Sequence, residues 1–344
     1  MADHPAGRSS VGESSVRVVF RCSDFARPQV IIQVQRGESC THRVLALSAD
    51  RVTVDVDGAR TLLDAPDDEV FSAQLVLPEA GSMDVQLRYS GVSPRSSLWN
   101  GDVDVVESLD AYRLLAGQHL LATTTNTPSA LRGAGFSFES IQRTLAFRAC
   151  RTPADRMAVC VLRHVAYAAV GKVDPSSAPS VMGDRFDEGS MILMARHGER
   201  LVGTARLALP GAVDRTEYDD FVSVPSWLDR GSLAVVSRLA TAAEYRGGDL
   251  LYALVLRCIA AASSAGRRFV LGGCTDALLP IYQRVGVQTT GLTFSHGSLG
   301  NTLEQLVFFD TEDVMNGRGI RPDLLHLLDV ARATGGGTCQ EAPD

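Results

Sequence analysis

The sequence predicts two domains: a small all-β, barrel-like domain, and after it an α/β domain in which helices flank a mixed sheet. Residues 16–106 contain seven segments of strand length with no helical pattern between them. From about residue 150 onward, segments with strand periodicity and helix periodicity alternate. Strands alone are typical of a barrel or sandwich, and alternation is typical of a layered α/β fold. A chain of 344 residues is long enough for both domains.

The first domain is assigned to residues 16–122. Its strand candidates, separated by Gly, Pro, Asp and Ser, are VRVVF, QVIIQVQ, HRVLALS, RVTVDV, FSAQLVLP, DVQLRYSG and GDVDVV. Residues 108–122 then have the spacing of an amphipathic helix, with Ser108 and Asp110 as cap candidates. The polar residues 1–15 are expected to be disordered, and the Gly/Pro-punctuated residues 123–137 are expected to form a linker.

The second domain is assigned to residues 138–333, and residues 334–344 to a tail. Helical spacing occurs at residues 153–171, 249–266, 276–287 and 322–333, and the short helix at 276–287 is expected to lead into a strand. Strand patterns occur at residues 190–210, as a hairpin turning at His197-Gly198, and at 231–242, 267–273 and 302–310. A strand–helix–strand order implies parallel pairing in the middle of the sheet.

The composition of the chain argues against several classes of protein. The net charge of −7 argues against a nucleic-acid partner, and no apolar run approaches the ~18 residues that span a bilayer. The polar start lacks the apolar segment of a signal peptide. Seven scattered cysteines without C-x-x-C pairs predict free thiols in the cytoplasm and no metal site. Cys258 and Cys274 have no His partner nearby in sequence and are not expected to be nucleophiles.

The most informative stretch is residues 237–258, where a buried strand leads into a long helix. The strand ends in Ser237-Arg238-Leu239, and Tyr245-Arg246-Gly247-Gly248 opens the helix. Unpaired N–H groups and the positive end of the dipole at such a helix start suit a phosphate. The predicted binding residues are Ser237, Arg238, Leu239, Arg246, Gly247 and Gly248. The alternative is a plain strand-to-helix turn with a glycine hinge.

A second candidate is Tyr282, which is followed after three residues by Gly286 at the end of a short helix. A phenol at this position in the chain order can donate a proton to a leaving thiolate. The alternative is a tyrosine that only packs and whose hydroxyl reaches solvent.

Together with the chain order, these stretches resemble the GNAT superfamily of acyltransferases over about 160 residues. Four further segments resemble the bacterial acyl-homoserine-lactone synthases and the related N-acyl amino acid synthases. They are LRHVAYAAVGKV (162–173), the D-x-F-D of MGDRFDEGS (182–190), ERLVGTARLAL (199–209) and VVSRLATAAEYRGG (235–248).

The resemblance implies an N-acyltransferase that moves a fatty acyl group from acyl-carrier protein or acyl-CoA to the amine of an amino acid or related small molecule. Backbone N–H groups near residues 237–239 would stabilise the oxyanion, and Tyr282 would protonate the thiol. Asp184, Asp187 and Glu244 are the candidates to take the amine proton, with Asp184 first. Salt bridges to Arg206 or Arg238 are the alternative role of Asp184 and Asp187. Arg238 is also a candidate for binding an acceptor carboxylate. Leucines at positions 250, 254 and 256 are candidates for an acyl groove.

Two departures from the family pattern keep other functions open. The family's glutamate is Val235 here, and Asp249 puts a negative charge near the expected phosphate site. A phosphopantetheine carries fewer phosphates than CoA, so this loop favours a carrier-protein donor. The alternatives are a catalytically reduced module that binds a carrier protein or lipid, and an acetyl-CoA-dependent small-molecule acetyltransferase.

The first domain faintly resembles a PilZ barrel at residues 42–54 and 99–115. Of the nucleotide-binding pattern of that family, only Ser48 is present, with Ala46 and Arg51 at the Asp and Gly positions. A role in docking, or in forming a homodimer, is therefore expected in place of nucleotide binding.

Overall fold

The computed structural model describes residues 18–22, 28–33, 39–55, 70–95, 98–296 and 299–335. The N-terminus predicted to be disordered, residues 1–15, and residues 336–344 of the predicted tail lie outside the described residues. The chain divides into two compact units. Unit 1 comprises residues 1–126 and 130–139, and unit 2 comprises residues 127–129 and 140–344.

Unit 1 contains a closed antiparallel barrel, which confirms the predicted barrel class. Its strands are β1 Phe20–Arg21, β2 Gln29–Gln33, β3 Ser39–Leu47, β4 Arg51–Asp55, β5 Val70–Leu77, β6 Gly81–Arg95 and β7 Leu98–Val105. Six of them close in the order β3-β2-β5-β6-β7-β4, with β4 pairing back onto β3, and β1 adds to β3. Alternating inward side chains such as Val44, Leu75 and Leu87 are buried, as a small filled barrel requires.

A long helix follows the barrel within the unit. Helix α1, Leu109–Thr123, carries Tyr112, whose hydroxyl donates to the carbonyls of Ser48 at 2.7 Å and Arg51 at 2.9 Å. Ser108 stands at the N-cap, but its side chain makes no capping hydrogen bond, so its predicted capping role is wrong. A short helix, α2 Pro128–Gly133, lies within the segment predicted to be a linker. The PilZ resemblance of unit 1 stays a prediction.

Unit 2 is built on a seven-stranded mixed sheet flanked by helices, which confirms the predicted α/β class. Its elements are β8 Ala146–Ala149, α3 Pro153–Ala168, β9 Met191–His197, β10 Arg200–Ala208, β11 Leu233–Thr241, α4 Leu250–Ser264, β12 Phe269–Cys274, α5 Leu279–Gln283, β13 Gln288–Ser295, β14 Leu303–Asp310, α6 Thr311–Met315 and α7 Leu325–Gly335. The strand order is β13-β14-β12-β11-β10-β9-β8. Among the described strands, β11 and β12 alone pair in parallel.

The two faces of this sheet carry different groups. Leu250 and Leu254 of α4 pack against Gly203 of β10, where an added Cβ would lie 3.2 and 3.0 Å from their side chains. Arg206, three residues further along, turns to the opposite face. On that face an apolar cluster is formed by Tyr218, Leu228, Leu233, Val235, Leu271, Phe294, Leu306 and Phe308. The middle of the sheet is therefore covered on both sides.

Strand β8 was not predicted, because its four residues are too few to show the apolar alternation that marks a strand. Strand β13 begins directly after residues 276–287, where a strand was expected. In the part of the chain that the structure describes, no helix is both long and apolar enough to cross a membrane.

Candidate active site

The two parallel strands β11 and β12 separate part-way along their length. They pair at three positions, of which the last joins Val235 to Leu271. Beyond it β11 continues to Thr241 and β12 to Cys274 without pairing to each other. The backbone groups freed by this divergence face a gap within the sheet, where they can bind a ligand.

An irregularity in β11 marks the edge of the gap. Thr204 of β10 lies opposite Ala240, and Arg206 lies opposite Ser237, so β11 has one residue more than its partner here. This is a β-bulge, and Arg238 in it has a φ of 52°, a left-handed conformation that is rare for a residue with a side chain. Bulges re-aim side chains and end pairing, as happens here beside the gap.

A cavity of about 680 Å³ opens at the gap. All six predicted binding residues and Tyr282 line it, so the structure brings the two predicted stretches together. The walls are supplied by α3, β11, the loop before α4, α4 itself, α5, the end of β12 and β14. Groups far apart in the sequence thus meet in one concave site, as small-molecule sites require.

The loop before α4 presents the features expected of a phosphate site. Gly247 has a φ of 74°, and an added Cβ would meet nothing within 4 Å, so the backbone here is open to the cavity. Arg246 is exposed and donates from Nη2 to the Ala166 carbonyl at 3.4 Å. The carboxylate of Asp249 also interacts with groups outside this loop. It accepts hydrogen bonds from Ser140 Oγ at 2.7 Å and Ile141 N at 2.8 Å.

Tyr282 lies on α5 with its side chain in the cavity wall. Burial raises the pKa of its phenol above the ordinary range, and the neighbouring Tyr167, Cys274 and Glu304 act in the same direction. The phenol is therefore protonated at neutral pH and holds its proton more tightly than a tyrosine in water. Burial likewise raises the pKa of Cys274 to about 11 and that of Cys258 to about 12, so neither thiol is a ready nucleophile.

Arg206 is fully buried and is surrounded by three carboxylates. It pairs with Asp184, with Asp187 at 3.0 Å and with Glu217 at 2.6 Å. Arg238 pairs with Asp184 at 2.7 Å, so Asp184 is shared between two cations. Burial alone would raise the pKa of Asp184, but Arg206 and Arg238 outweigh it and the pKa is lowered.

None of the three carboxylates predicted to take the amine proton lies on the cavity wall. Asp184 is held by two arginines, and Asp187 is buried and also pairs with Arg163 at 3.0 Å. Glu244 lies half-exposed on a short 3-10 helix, where it pairs with Arg200 at 2.5 Å. Asp184 and Asp187 thus form the salt bridges that were the alternative to a catalytic role.

Residues 162–256 match the GNAT acetyltransferase domain family. The chain contains a GNAT domain. That match spans the D-x-F-D segment, β9, β10 and β11, including the bulge, the loop at residues 245–248 and the first seven residues of α4.

Several solved structures resemble about half of the chain. An N-acyl amino acid synthase from uncultured soil microbes, FeeM, has 17% identity and a TM-score of 0.43, covering 51% of this chain and 94% of its own. The CoA-dependent acyl-homoserine lactone synthase BjaI has 19% identity and a TM-score of 0.42, covering 58% and 95%. ElaA of Escherichia coli has 13% identity and a TM-score of 0.36, covering 48% and 99%. A search of curated proteins found no match.

Sequence reasoning missed the carboxylate of Glu217. It is buried, lines the cavity and pairs with Arg206, while Val235 lies in the apolar cluster with Tyr218. Position 235, where the family has a glutamate, carries no carboxylate here. Glu217, from another segment, nevertheless places a carboxylate beside Arg206. The available signal was the T-x-x-D of Thr216 and Asp219, a capping box that fixes the short helix carrying Glu217.

Sequence reasoning also missed Lys172, Glu304 and His296, which are among the charged or titratable residues of the cavity wall. Lys172 Nζ donates to Glu304 at 2.5 Å, and both side chains are largely buried. Glu304 occupies an inward position of β14, where the alternation of the strand calls for an apolar residue. A charged residue at such a position is the signal that would have identified it.

The leucines predicted to line an acyl groove do not face the cavity. Leu250, Leu254 and Leu256 are fully buried in the packing of α4, whereas Leu251 and Val255 line the cavity. One step along a helix rotates the side chain by about 100°, which explains the difference. Among the described residues no cluster of His, Cys, Asp and Glu could hold a metal ion.

Proposed function

We propose that the GNAT domain transfers a fatty acyl group from a pantetheine thioester, on acyl-carrier protein or CoA, to the amine of an amino acid or related small molecule. The observation that carries the proposal is the gap between β11 and β12, with Tyr282 on one wall and the loop at residues 245–248 on another. A slot through the sheet admits the extended pantetheine arm and exposes backbone donors to the thioester oxygen.

Each part of the reaction has a group available. The N–H groups of residues 237–239 lie beside the bulge, where oxyanion donors are worth about 3 kcal/mol each. Tyr282 is protonated at neutral pH and faces the same cavity, so it can protonate the departing thiolate. Arg246 and the open backbone of Gly247 suit the phosphate of the donor.

A carrier-protein donor is proposed ahead of CoA. The loop offers the cation Arg246 and two glycines, and Asp249 stands immediately before α4. A single phosphate needs fewer donors and meets less repulsion than the several phosphates of CoA. Leu251 and Val255 provide apolar wall for the acyl chain.

The test is thiol release by the full chain, measured with a thiol-reactive dye. Acyl-carrier proteins and acyl-CoA esters of several chain lengths would be combined with amino acids and simple amines. Release that depends on both donor and acceptor supports the proposal. Tight donor binding without release indicates a binding module instead, and release with acetyl-CoA alone indicates a conventional acetyltransferase.

The variant Tyr282→Phe tests whether the phenol protonates the thiolate. We expect kcat to fall by about 10²-fold or more, because the phenol no longer supplies a proton to the thiolate. Binding of the donor, followed by calorimetry, is expected to change little, because the ring remains. Tyr89→Phe in the barrel of unit 1 serves as the control. An unchanged kcat in Tyr282→Phe would show that the thiolate leaves without this phenol.

A further inference from the structure

Two backbone carbonyls of β11 lie at the gap, one on each side of the bulge. The Val236 carbonyl directly follows the last position paired with β12, and its oxygen would lie 3.5 Å from a Cβ added at Gly272. The Leu239 carbonyl follows the bulge residue Arg238. Both Val236 and Leu239 line the cavity. The N–H groups of residues 237–239, proposed as oxyanion donors, therefore lie between these two carbonyls along the strand.

A tyrosine hydroxyl donates a hydrogen bond to each of these carbonyls. Tyr218, on a short helix between β10 and β11, donates to the Val236 carbonyl at 3.4 Å. Tyr167, near the end of α3, donates to the Leu239 carbonyl at 3.3 Å. Both tyrosines line the cavity, and a ring carbon of Tyr218 would lie 3.3 Å from a Cβ added at Gly273. Burial raises the pKa of both phenols, so each keeps its proton and serves as the donor.

The backbone between the two carbonyls is strained. Arg238 has a φ of 52°, a left-handed conformation that costs free energy for a residue with a side chain. Such a conformation persists only where the surrounding structure fixes it. Because a peptide unit is planar, the hydrogen bond that holds the Val236 carbonyl also fixes the N–H of Ser237. The hydrogen bond to the Leu239 carbonyl fixes the other end of the strained segment.

Buried ion pairs hold both of the elements that carry these tyrosines. Arg206 pairs with Asp187 at 3.0 Å and with Glu217, the residue directly before Tyr218, at 2.6 Å. Asp187 also pairs at 3.0 Å with Arg163, which lies one turn of α3 before the second tyrosine. One network of charges therefore anchors the donors of both hydrogen bonds to β11.

We propose that Tyr218 and Tyr167 are positioning residues that hold the bulge of β11 in the shape that directs its N–H groups towards the thioester oxygen. The inference rests on the proposed acyl transfer and assigns the groups that preorganise its oxyanion donors. Neither hydroxyl exchanges a proton in the reaction. Each also binds the negative end of a peptide dipole at the gap, which weakens the repulsion between that carbonyl and the charge that develops on the thioester oxygen.

The test uses Tyr218→Phe, Tyr167→Phe and the double variant, which keep the rings and remove the hydroxyls. We expect each single change to lower kcat by about 10-fold and the double change by about 10²-fold, because misdirected donors stabilise the oxyanion less. The KM for the donor is expected to change by less than about twofold, because the walls of the cavity remain.

Tyr112→Phe is the matched control. The hydroxyl of Tyr112 is also buried and also donates to two backbone carbonyls, those of Ser48 and Arg51, but it lies in unit 1. This variant loses the same kind of hydrogen bond, so it reports the general cost of removing a buried phenol hydroxyl. It is expected to keep the wild-type kcat.

Infrared spectroscopy separates positioning from a general loss of structure. The probe is a bound long-chain acyl-pantetheine, isotope-labelled at the thioester carbonyl carbon. Hydrogen bonds from the bulge lower the stretching frequency of this carbonyl, so wild type and Tyr112→Phe are expected to shift it equally. Tyr218→Phe and Tyr167→Phe are expected to shift it less. Fluorotyrosine at position 218, a stronger donor of nearly the same shape, is expected to retain both the wild-type kcat and the wild-type shift.

Two results would overturn the positioning role. A wild-type carbonyl frequency in the double variant would show that the thioester is polarised equally without the hydroxyls, whatever happens to kcat. A wild-type kcat in the double variant would show that the hydroxyls are not needed. Failure of the proposed acyl transfer is distinguishable, because the wild-type protein itself would then turn over no donor and leave the carbonyl frequency at its value in water.

Discussion

Arg206 shows how a single buried residue organises the site. Its guanidinium has no exposed surface and contacts three carboxylates and Ser237. A buried cation is tolerated only when it is paired and hydrogen-bonded. The fold therefore requires these partners. The same contacts hold Arg238 and Ser237 at the edge of the gap, which links the stability of the network to the shape of the cavity.

Glu217→Gln tests this network. We expect the free energy of unfolding to drop by about 2 kcal/mol or more, because a buried cation loses one of its compensating charges. Urea unfolding followed by circular dichroism measures it. Asp329→Asn is the control, since Asp329 pairs with Arg332 but is 71% exposed at its side chain, and it should cost under about 0.5 kcal/mol. Equal small effects of both changes would mean that the other carboxylates suffice.

At the scale of elements, β12 carries two glycines, Gly272 and Gly273, where it diverges from β11. An added Cβ at Gly273 would lie 2.8 Å from both Glu304 Oε2 and Phe294 Cζ, closer than side chains tolerate. At Gly272 the nearest atoms would be 3.5 and 3.7 Å away, which is ordinary contact. Gly273 therefore lets β13 and β14 place Glu304 and Phe294 against the gap, whereas Gly272 imposes no such requirement.

Gly273→Ala and Gly272→Ala form a matched pair. We expect Gly273→Ala to lower the free energy of unfolding by about 1–3 kcal/mol, because the added methyl overpacks a filled site. It should also raise the KM for the acceptor, because Glu304 must move. Gly272→Ala should change either quantity much less. Thermal unfolding and steady-state kinetics measure both, and similar behaviour of the two variants would contradict the close approach at Gly273.

At the scale of the whole molecule, carboxylates held in their charged form tie stability to pH. Hydrogen bonds from Arg230, opposed by burial and aided by Thr216, lower the pKa of Asp219 from 3.8 to about 2. The pKa values of Asp184, Asp155 and Asp229 are lowered as well. A depressed folded-state pKa contributes stability above the unfolded pKa, and that contribution is lost as pH falls through the folded pKa.

We therefore expect the free energy of unfolding to decline progressively as pH is lowered from about 5 towards 2. Asp219→Asn should flatten the decline, by at most about 2 kcal/mol, since its partner Arg230 is 39% exposed at its side chain. Urea unfolding at several pH values measures the slope. A slope that Asp219→Asn leaves unaltered would assign the acid sensitivity to the other carboxylates.

The sequence by itself determined the classes of both units and the two stretches that meet at the cavity. The period-two spacing of strands and the 3.6-residue spacing of helices show which face of each element is buried. The loop at residues 245–248 contains residue types that few other backbone arrangements require. Only the tertiary structure decided which charged groups share the cavity. Glu217, Glu304 and His296 come from separate segments and are brought together by the order of β10 to β14, whereas Asp184 and Asp187 are turned into ion pairs. The physical reason is that the partner of a charge is set by packing across the chain, and local periodicity contains no information about it.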